Sequence, residues 1–355
     1  MRTLSTRWAG RIVALLSLLA WAGCIRVPTG RITADRMDFG QVIQESWKRQ
    51  TLLNVVRLRY ADVPMFLDIA SVINSYTLGG SVSGGASLEK DSSSNSLSLG
   101  AAGVWSNTPT VTYQPLMGER FTKSLLQPVA PAAVFQLMQG GLPPELVITT
   151  VVRSVNGLRN DSFGVGGDPG FRELVAALSR IQRAGSLGTR IEARKDGSAL
   201  IMILRKEGAG TAPPEDVRRV RELLGLAEGL SEIEVVYGLA PRSGSEVAIV
   251  TRTMLGIITE LAMGVELPAD QAASGRAVAG PRQAGDAPAA QRVRIRSGTA
   301  APEDTYAAVP YKGYWYWIAD NDTASKSTFT FLMILFSLAE TGGASVAPVV
   351  TVPAR

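Results

Sequence analysis

The residue types that carry most enzyme chemistry are nearly absent from this chain. It contains no histidine and one cysteine, Cys24. Ser-His and Cys-His nucleophiles are excluded, and so are zinc sites built on imidazole or thiolate. Carboxylate-only and Ser-Lys catalysis stay open, but no local motif points to either. Asp320-Asn321-Asp322 begins as a calcium loop does, yet lacks the later glycine and the closing glutamate. It is read instead as the cap of the helix that follows. Phe163-Gly164-Val165-Gly166-Gly167 has no following Gly-Lys-Ser/Thr and is read as a plain loop. Tyr311, Tyr314, Trp315, Tyr316 and Trp317 are the densest aromatic group. Alternate residues there feed both faces of a strand, so hairpin packing is expected before a sugar platform. Arg218, Arg219 and Arg221 read as a solvated helix face. No catalytic residue, cofactor or metal is expected.

The informative chemistry sits at the N-terminus. Arg2, Arg7 and Arg11 lead into the apolar run Ile12 to Ala22, followed by Gly23 and Cys24. A short basic region, an apolar core and small residues before a break describe a secretory signal peptide. The run is about half the ~20 apolar residues a membrane-spanning helix needs. Loss of residues 1–23 removes three arginines and no acid, so the formal charge falls from +5 to +2. Near-neutrality and export both argue against nucleic acid as a partner.

Trp21-Ala22-Gly23-Cys24 resembles the lipobox of bacterial lipoproteins, with Trp21 standing where leucine is usual. The resemblance covers the signal region only. It implies that Cys24 is acylated and becomes the mature N-terminus. Ile25, in place of an inner-membrane-retaining aspartate, then implies the outer membrane, with the body facing the periplasm.

The rest of the chain reads as α+β, with mixed helices and antiparallel hairpins and a long Gly/Ser-rich β-hairpin extension. A helix is expected from Asp38 or Gly40 to about Arg57, with Val63-Pro64 ending the pattern. Further helices are expected over Gly118 to Leu126, Ala132 to Gln139, Phe171 to Ala184, Pro214 to Gly225, Met254 to Met263 and Lys326 to Glu340. Leu146 to Val155, rich in β-branched residues, reads as a buried strand. Arg190 to Arg194 and Leu200 to Leu204 read as a hairpin about Asp196-Gly197. Ile233 to Tyr237 and Val247 to Thr251 read as a second strand pair. Val293 to Ile295 and Tyr306 to Ile318 read as strands. The expected organisation is a signal peptide (1–23), a lipidated N-terminus with its helix (24–64), an amphipathic hairpin (65–115), an α+β periplasmic domain (116–268), a flexible linker (269–291), and a C-terminal hairpin with a buried helix (292–355).

The hairpin carries the functional expectation. From Val72 to Leu88 the even positions are mostly apolar, including Leu78, Val82, Ala86 and Leu88, and the odd ones small or polar. After the polar turn Glu89 to Asn95 the parity inverts, with Leu97, Leu99, Ala101 and Trp105 odd. Pairing Leu88 with Leu97 puts the apolar residues on one face, whereas a one-residue slip would not. That register sets Trp105 opposite Gly80 and Val82 opposite Gly103, and pairing is expected to fail near Pro109.

Three uses fit: a surface hairpin on its own domain, an arm that pairs with another protein, or two strands of a barrel shared between chains. A lone hairpin cannot span lipid, because its open edges would be unsatisfied. The expectation is a lipid-anchored outer-membrane structural or interaction component, with a multi-chain pore or export channel as the alternative. The membrane is the expected partner through the anchor, the protein partner is not identified, and a homo-oligomer is allowed.

Overall fold

The computed structural model describes residues 29–87, 96–162, 166–194, 197–204, 213–278 and 293–340. The signal region, Cys24 and Leu88 lie outside the described residues. The chain divides into two compact units, Met1–Arg49 and Gln50–Arg355. The fold class is α+β.

Helix α1, Thr29–Arg59, begins earlier than the apolar spacing suggests. In its first part Glu45 pairs with Lys48 at 2.6 Å and Arg49 at 2.9 Å. From Thr51 onward it is a core helix, with Thr51, Leu52, Asn54, Val55, Val56 and Arg59 all buried. Ala61 takes a left-handed φ of 55° as the chain leaves it.

Strands β1 (Leu67–Ser87) and β2 (Ser96–Pro115) form a separate two-stranded antiparallel ribbon. Helix α2 (Gly118–Phe121) follows and runs directly into one π-helical turn, Thr122–Leu126. That turn buries Leu125 completely.

The body is built on a six-stranded sheet of order β4-β3-β8-β7-β6-β5. Its strands are β3 (Val152–Val155), β4 (Leu158–Arg159), β5 (Leu187–Arg194), β6 (Gly197–Leu204), β7 (Glu232–Tyr237) and β8 (Glu246–Thr251). Helix α5, Pro169–Arg183, buries Phe171, Leu174, Val175, Ala177, Leu178 and Ile181. This is the 3.6-residue stripe of an amphipathic helix, and it packs on β4 and β5. Helix α6, Pro214–Leu224, lies beside it and stops at Gly225, whose φ of 62° only glycine takes readily. Between α5 and α6, Arg180 grips Asp216 through two nitrogens at 2.6–2.9 Å.

Helices α3 (Pro131–Gln139) and α4 (Pro144–Val151) precede the sheet. The expected strand over Leu146 to Val155 is therefore half wrong: the chain is helical to Val151 and extended only from Val152. Pro144 at the first helical position presets the backbone for a helix start. Burial of Val147, Ile148 and Val151 rewards that choice over β propensity. The expected β7/β8 pair exists but is parallel.

The final part has helix α7 (Met254–Ala262), α8 (Ala269–Ala273) and a sheet of order β10-β11-β9. Its strands are β9 (Arg296–Gly298), β10 (Thr305–Tyr311) and β11 (Tyr314–Ala319). Helix α9, Thr323–Glu340, follows. The start of the expected linker is ordered: Ala269–Ala273 is helical, Gln271 is buried, and the Val278 N–H donates to the Arg59 carbonyl at 2.9 Å. Residues 279–291 lie outside the described set. Asp322 caps α9 as expected, accepting from the Ser325 N–H at 3.0 Å and its hydroxyl at 2.7 Å. Among the described residues no helix is long and apolar enough to cross a membrane.

Candidate functional site

The ribbon is built on a clamp at its root. Asn54, fully buried on α1, donates to the Met65 carbonyl at 2.8 Å and accepts from the Met65 N–H at 2.9 Å. One turn earlier, the Gln50 amide, oriented by its partners, donates to the Leu67 carbonyl at 3.2 Å and accepts from the Leu67 N–H. Two amides four residues apart thus act as a strand partner for the entering chain. On the return side the Leu116 N–H closes on the Phe66 carbonyl at 2.9 Å. The Phe66 ring packs 5.7 Å from that of Phe336 on α9. Arg120 on α2 reaches Asp68 at 2.5 Å and Gln114 at 3.1 Å, tying both arms to one side chain.

A second knot holds the same end of α1 to the C-terminal sheet. The Tyr60 and Tyr316 hydroxyls lie 2.5 Å apart, and Tyr316 is fully buried. Asp62 accepts from Lys312 at 2.6 Å and from the Tyr311 hydroxyl. The hydrogen bonds from Lys312 and Tyr311 hold the Asp62 carboxyl below its usual range. Burial, with the Asp62 contact, pushes Tyr311 up to about 12. Tyr311 and Tyr316 of the aromatic group thus pack against the end of α1.

The register of the ribbon corrects the expected one by two residues. Ala86 pairs with Leu97, Gly84 with Leu99, Val82 with Ala101, Gly80 with Gly103 and Leu78 with Trp105. The pairing Leu88 with Leu97 is therefore not made, nor are Trp105 with Gly80 or Val82 with Gly103. A slip of two preserves parity, so the two sets of residues still lie on opposite faces. The alternation alone cannot distinguish registers that differ by two.

Pairing also continues past Pro109, which sits opposite Asn74, down to Leu67 and Pro115. Both strands of a two-stranded ribbon are edges, so a proline turned outward removes no ladder bond. A bulge falls between Ile69 and Ser71. The extra residue, Ala70, shifts parity by one. Odd-numbered Leu67 and Ile69 thereby join the face of even-numbered Val72, Tyr76 and Leu78, opposite Pro115, Tyr113 and Val111. Asp68 and Gln114 join the other face, which carries Ser71, Ser75, Thr77, Ser81, Ser83, Ser87, Ser96, Ser98, Ser106, Thr108, Thr110 and Thr112. Ile73, Ala102 and Val104 are its apolar exceptions. No family model, curated protein or solved structure matches this chain.

Apolar side chains at the root face solvent. Val63 is 85% exposed, Met117 72%, Met65 57% and Tyr113 52%. Leu126 of the π turn and Ile334 and Leu338 of α9 are exposed too.

Elsewhere among the described residues two polar clusters close on themselves. Arg252 donates to the carbonyls of Thr149, Thr150, Val152 and Asp161. Ser162 donates to Glu260, which lies 3.7 Å from Arg252. Arg219 is held by Glu173 and Glu222, Arg218 by Glu222, and Arg221 by the Ala227 and Leu230 carbonyls. Among the described residues no group of acids could hold a metal.

Sequence reasoning missed three positioning residues. Asn156-Gly157 is the strongest short hairpin signal. It makes the β3–β4 turn, with φ of 45° and 82°. The Asn156 amide then donates to the Leu224 carbonyl at 2.7 Å and accepts from the Ala248 N–H at 2.7 Å. Gln50 and Asn54 gave a weaker signal, two amides at helical spacing within an apolar face.

Proposed function

We propose that the protein is a lipid-anchored component of a bacterial outer membrane, facing the periplasm, and that its 67–115 ribbon is the element through which it joins an envelope assembly. The observation that carries this reading is a long ribbon held firmly at its root that, among the described residues, pairs with no third strand. Unpaired edges of this length are templates for further strands. The signal region and Cys24 support anchoring. Stable attachment needs two lipid signals or more, because one acyl chain gives only marginal binding. The reading assigns no catalytic step, in keeping with a chain that has no histidine and one cysteine.

A second reading is favoured by the segregation of the two faces. An apolar face backed by a hydroxyl face is the pattern of strands that separate lipid from water. In that reading the ribbon supplies two strands to a pore or export channel built from several chains.

The test is to extract the full chain from membranes in mild detergent and measure the mass of the particle and of its N-terminal peptide. The expected result is acylated Cys24 in a particle larger than the 37.7 kDa chain. Shortening the ribbon across Ser71–Thr112 should leave an anchored monomer. An unmodified Cys24 would overturn the anchoring, and a monomeric full-length chain would overturn the assembly.

A further inference from the structure

We infer that the ribbons of identical copies pair edge to edge, so that their distal segments, 78–87 and 96–105, close a membrane-spanning barrel with an uncharged, hydroxyl-lined lumen. This rests on the pore reading above. It adds the partner, a second copy of this chain, and the chemistry of the wall.

The register divides the ribbon into unlike halves. In the distal half the apolar face holds Leu78, Gly80, Val82, Gly84 and Ala86 opposite Trp105, Gly103, Ala101, Leu99 and Leu97. No position there is polar. In the proximal half the same face includes Asn74, Asn107 and Pro109. The lipid-compatible band is therefore about ten residues a side, against the ~9–11 a tilted transmembrane strand requires. Trp105 and Tyr76 stand at the boundary between the halves, where aromatic residues sit at a membrane surface. The proximal half then spaces the body from the bilayer.

The edges favour copies of the same chain. β1 and β2 run in opposite directions. Setting β1 of one copy beside β2 of the next continues the antiparallel order. A ring of copies therefore gives an even number of strands and leaves no open edge, as a closed cyclic assembly must. Pro109 has no N–H to offer a neighbour and lies in the proximal half, so continuous edge pairing is confined to the distal half.

The glycines add an independent sign. A Cβ placed on Gly80, Gly84 or Gly103 meets nothing within 4 Å. The isolated ribbon does not need glycine at these positions, whereas a sheet curving into a barrel uses glycine to bend.

The wall follows from the other face. No acidic or basic residue occurs between Asp68 and Glu89, or between Asn95 and Glu119. The distal lumen positions are Gly79, Ser81, Ser83, Gly85 and Ser87 with Ser96, Ser98, Gly100, Ala102 and Val104. Such a wall selects by size and by hydrogen bonding, not by charge, and suits uncharged hydrated solutes.

The experiment measures the native mass of the detergent-extracted, acylated particle and its conductance in planar bilayers. We expect a particle made of this polypeptide alone and channels with a potassium-to-chloride permeability ratio near unity. Ser83→Arg should still assemble and should turn the channel anion-selective. Val82→Arg should abolish insertion. A second polypeptide in the particle, or strong charge selectivity in wild type, would overturn this inference while leaving the pore reading standing. Particles that assemble but never conduct would overturn both. Equal tolerance, or equal failure, of the two arginine variants would overturn the assignment of faces.

Discussion

At the residue scale, single side chains fix the ends of elements, and their effects can be isolated. Asp216 is almost fully buried and gripped by Arg180, whose hydrogen bonds hold its carboxyl below the ordinary value. A carboxyl lowered in the folded state adds stability that is complete above its unfolded pKa, near ~3.9. That stability is lost as pH falls through the lower, folded value. Thermal unfolding followed from pH 7 to pH 2 should therefore show an acid-dependent loss below about pH 4. Asp216→Asn should remove that component and lower stability at pH 7 by about 1–3 kcal/mol. An unchanged acid limb in the variant would assign it to other carboxylates. Gly264 tests steric fit instead. A Cβ there would stand 2.0 Å from the Val293 carbonyl oxygen, a backbone atom tied into the strand entry by the Ile295 N–H bond to Gly264. Gly264→Ala should cost about 1–3 kcal/mol or more, since overpacked sites relax poorly. Equilibrium denaturation measures it, and a neutral result would mean that this strand entry shifts freely.

At the element scale, the bulge at Ala70 aligns the faces of the ribbon with its root. Deleting Ala70 should remove the bulge and leave strict alternation, with Leu67, Ile69 and Ser71 still opposite Pro115, Tyr113 and Thr112. Asn54 would then still hold Met65 in the register of the rest of the ribbon. The expected outcome is unchanged protease protection within 63–72 and an unchanged unfolding transition of the sheet body. Increased cleavage there would show that the root needs the local twist of the bulge and not only the parity it sets. The same feature explains what the sequence displayed and what it hid. Parity over Val72 to Trp105 is local, so the hairpin and its two faces were legible. The alternation stops at the bulge, so the pairing of Leu67 to Ser71 with Thr112 to Pro115 was not. Helix α5 was legible from its apolar stripe, and α6 from Pro214 and Gly225. Leu146 to Val151 was not, because a short apolar run fits either a buried strand or a buried helix until its neighbours are known. The parallel pairing of β7 with β8 depends on β3 and β6 taking the outer places, which no local pattern records. Asn156-Gly157 was legible and passed over. In the candidate site the alternation was legible but the partners were not: Leu78 pairs with Trp105, Val82 with Ala101, Gly84 with Leu99 and Ala86 with Leu97, two residues from the expected register. Cys24 and Leu88 lie outside the described residues.

At the scale of the whole molecule, the unit from Gln50 to Arg355 joins a compact body to a ribbon whose attachment to that body, among the described residues, is made at one end. Met65, Phe66, Asp68, Gln114 and Leu116 make the attachment. The body therefore does not depend on how far the ribbon extends. Each residue adds about 3.3 Å of reach, so arms of 21 and 20 residues extend for roughly 65–70 Å. Because side chains alternate with a period of two, adding or removing two residues in both arms moves the tip by about 7 Å and turns no side chain over. A change of one residue in one arm inverts that arm. Reach can thus be adjusted in fixed steps without redesigning the fold, and the ribbon becomes a ruler whose graduation is the β-sheet repeat. Bilayers differ in thickness by a few ångström, and mismatch of that size costs fractions of a kcal/mol per Å. On the proposed pore reading, relatives built for thicker or thinner membranes would differ by pairs of residues in each arm while the clamp at Gln50 and Asn54 stays unchanged.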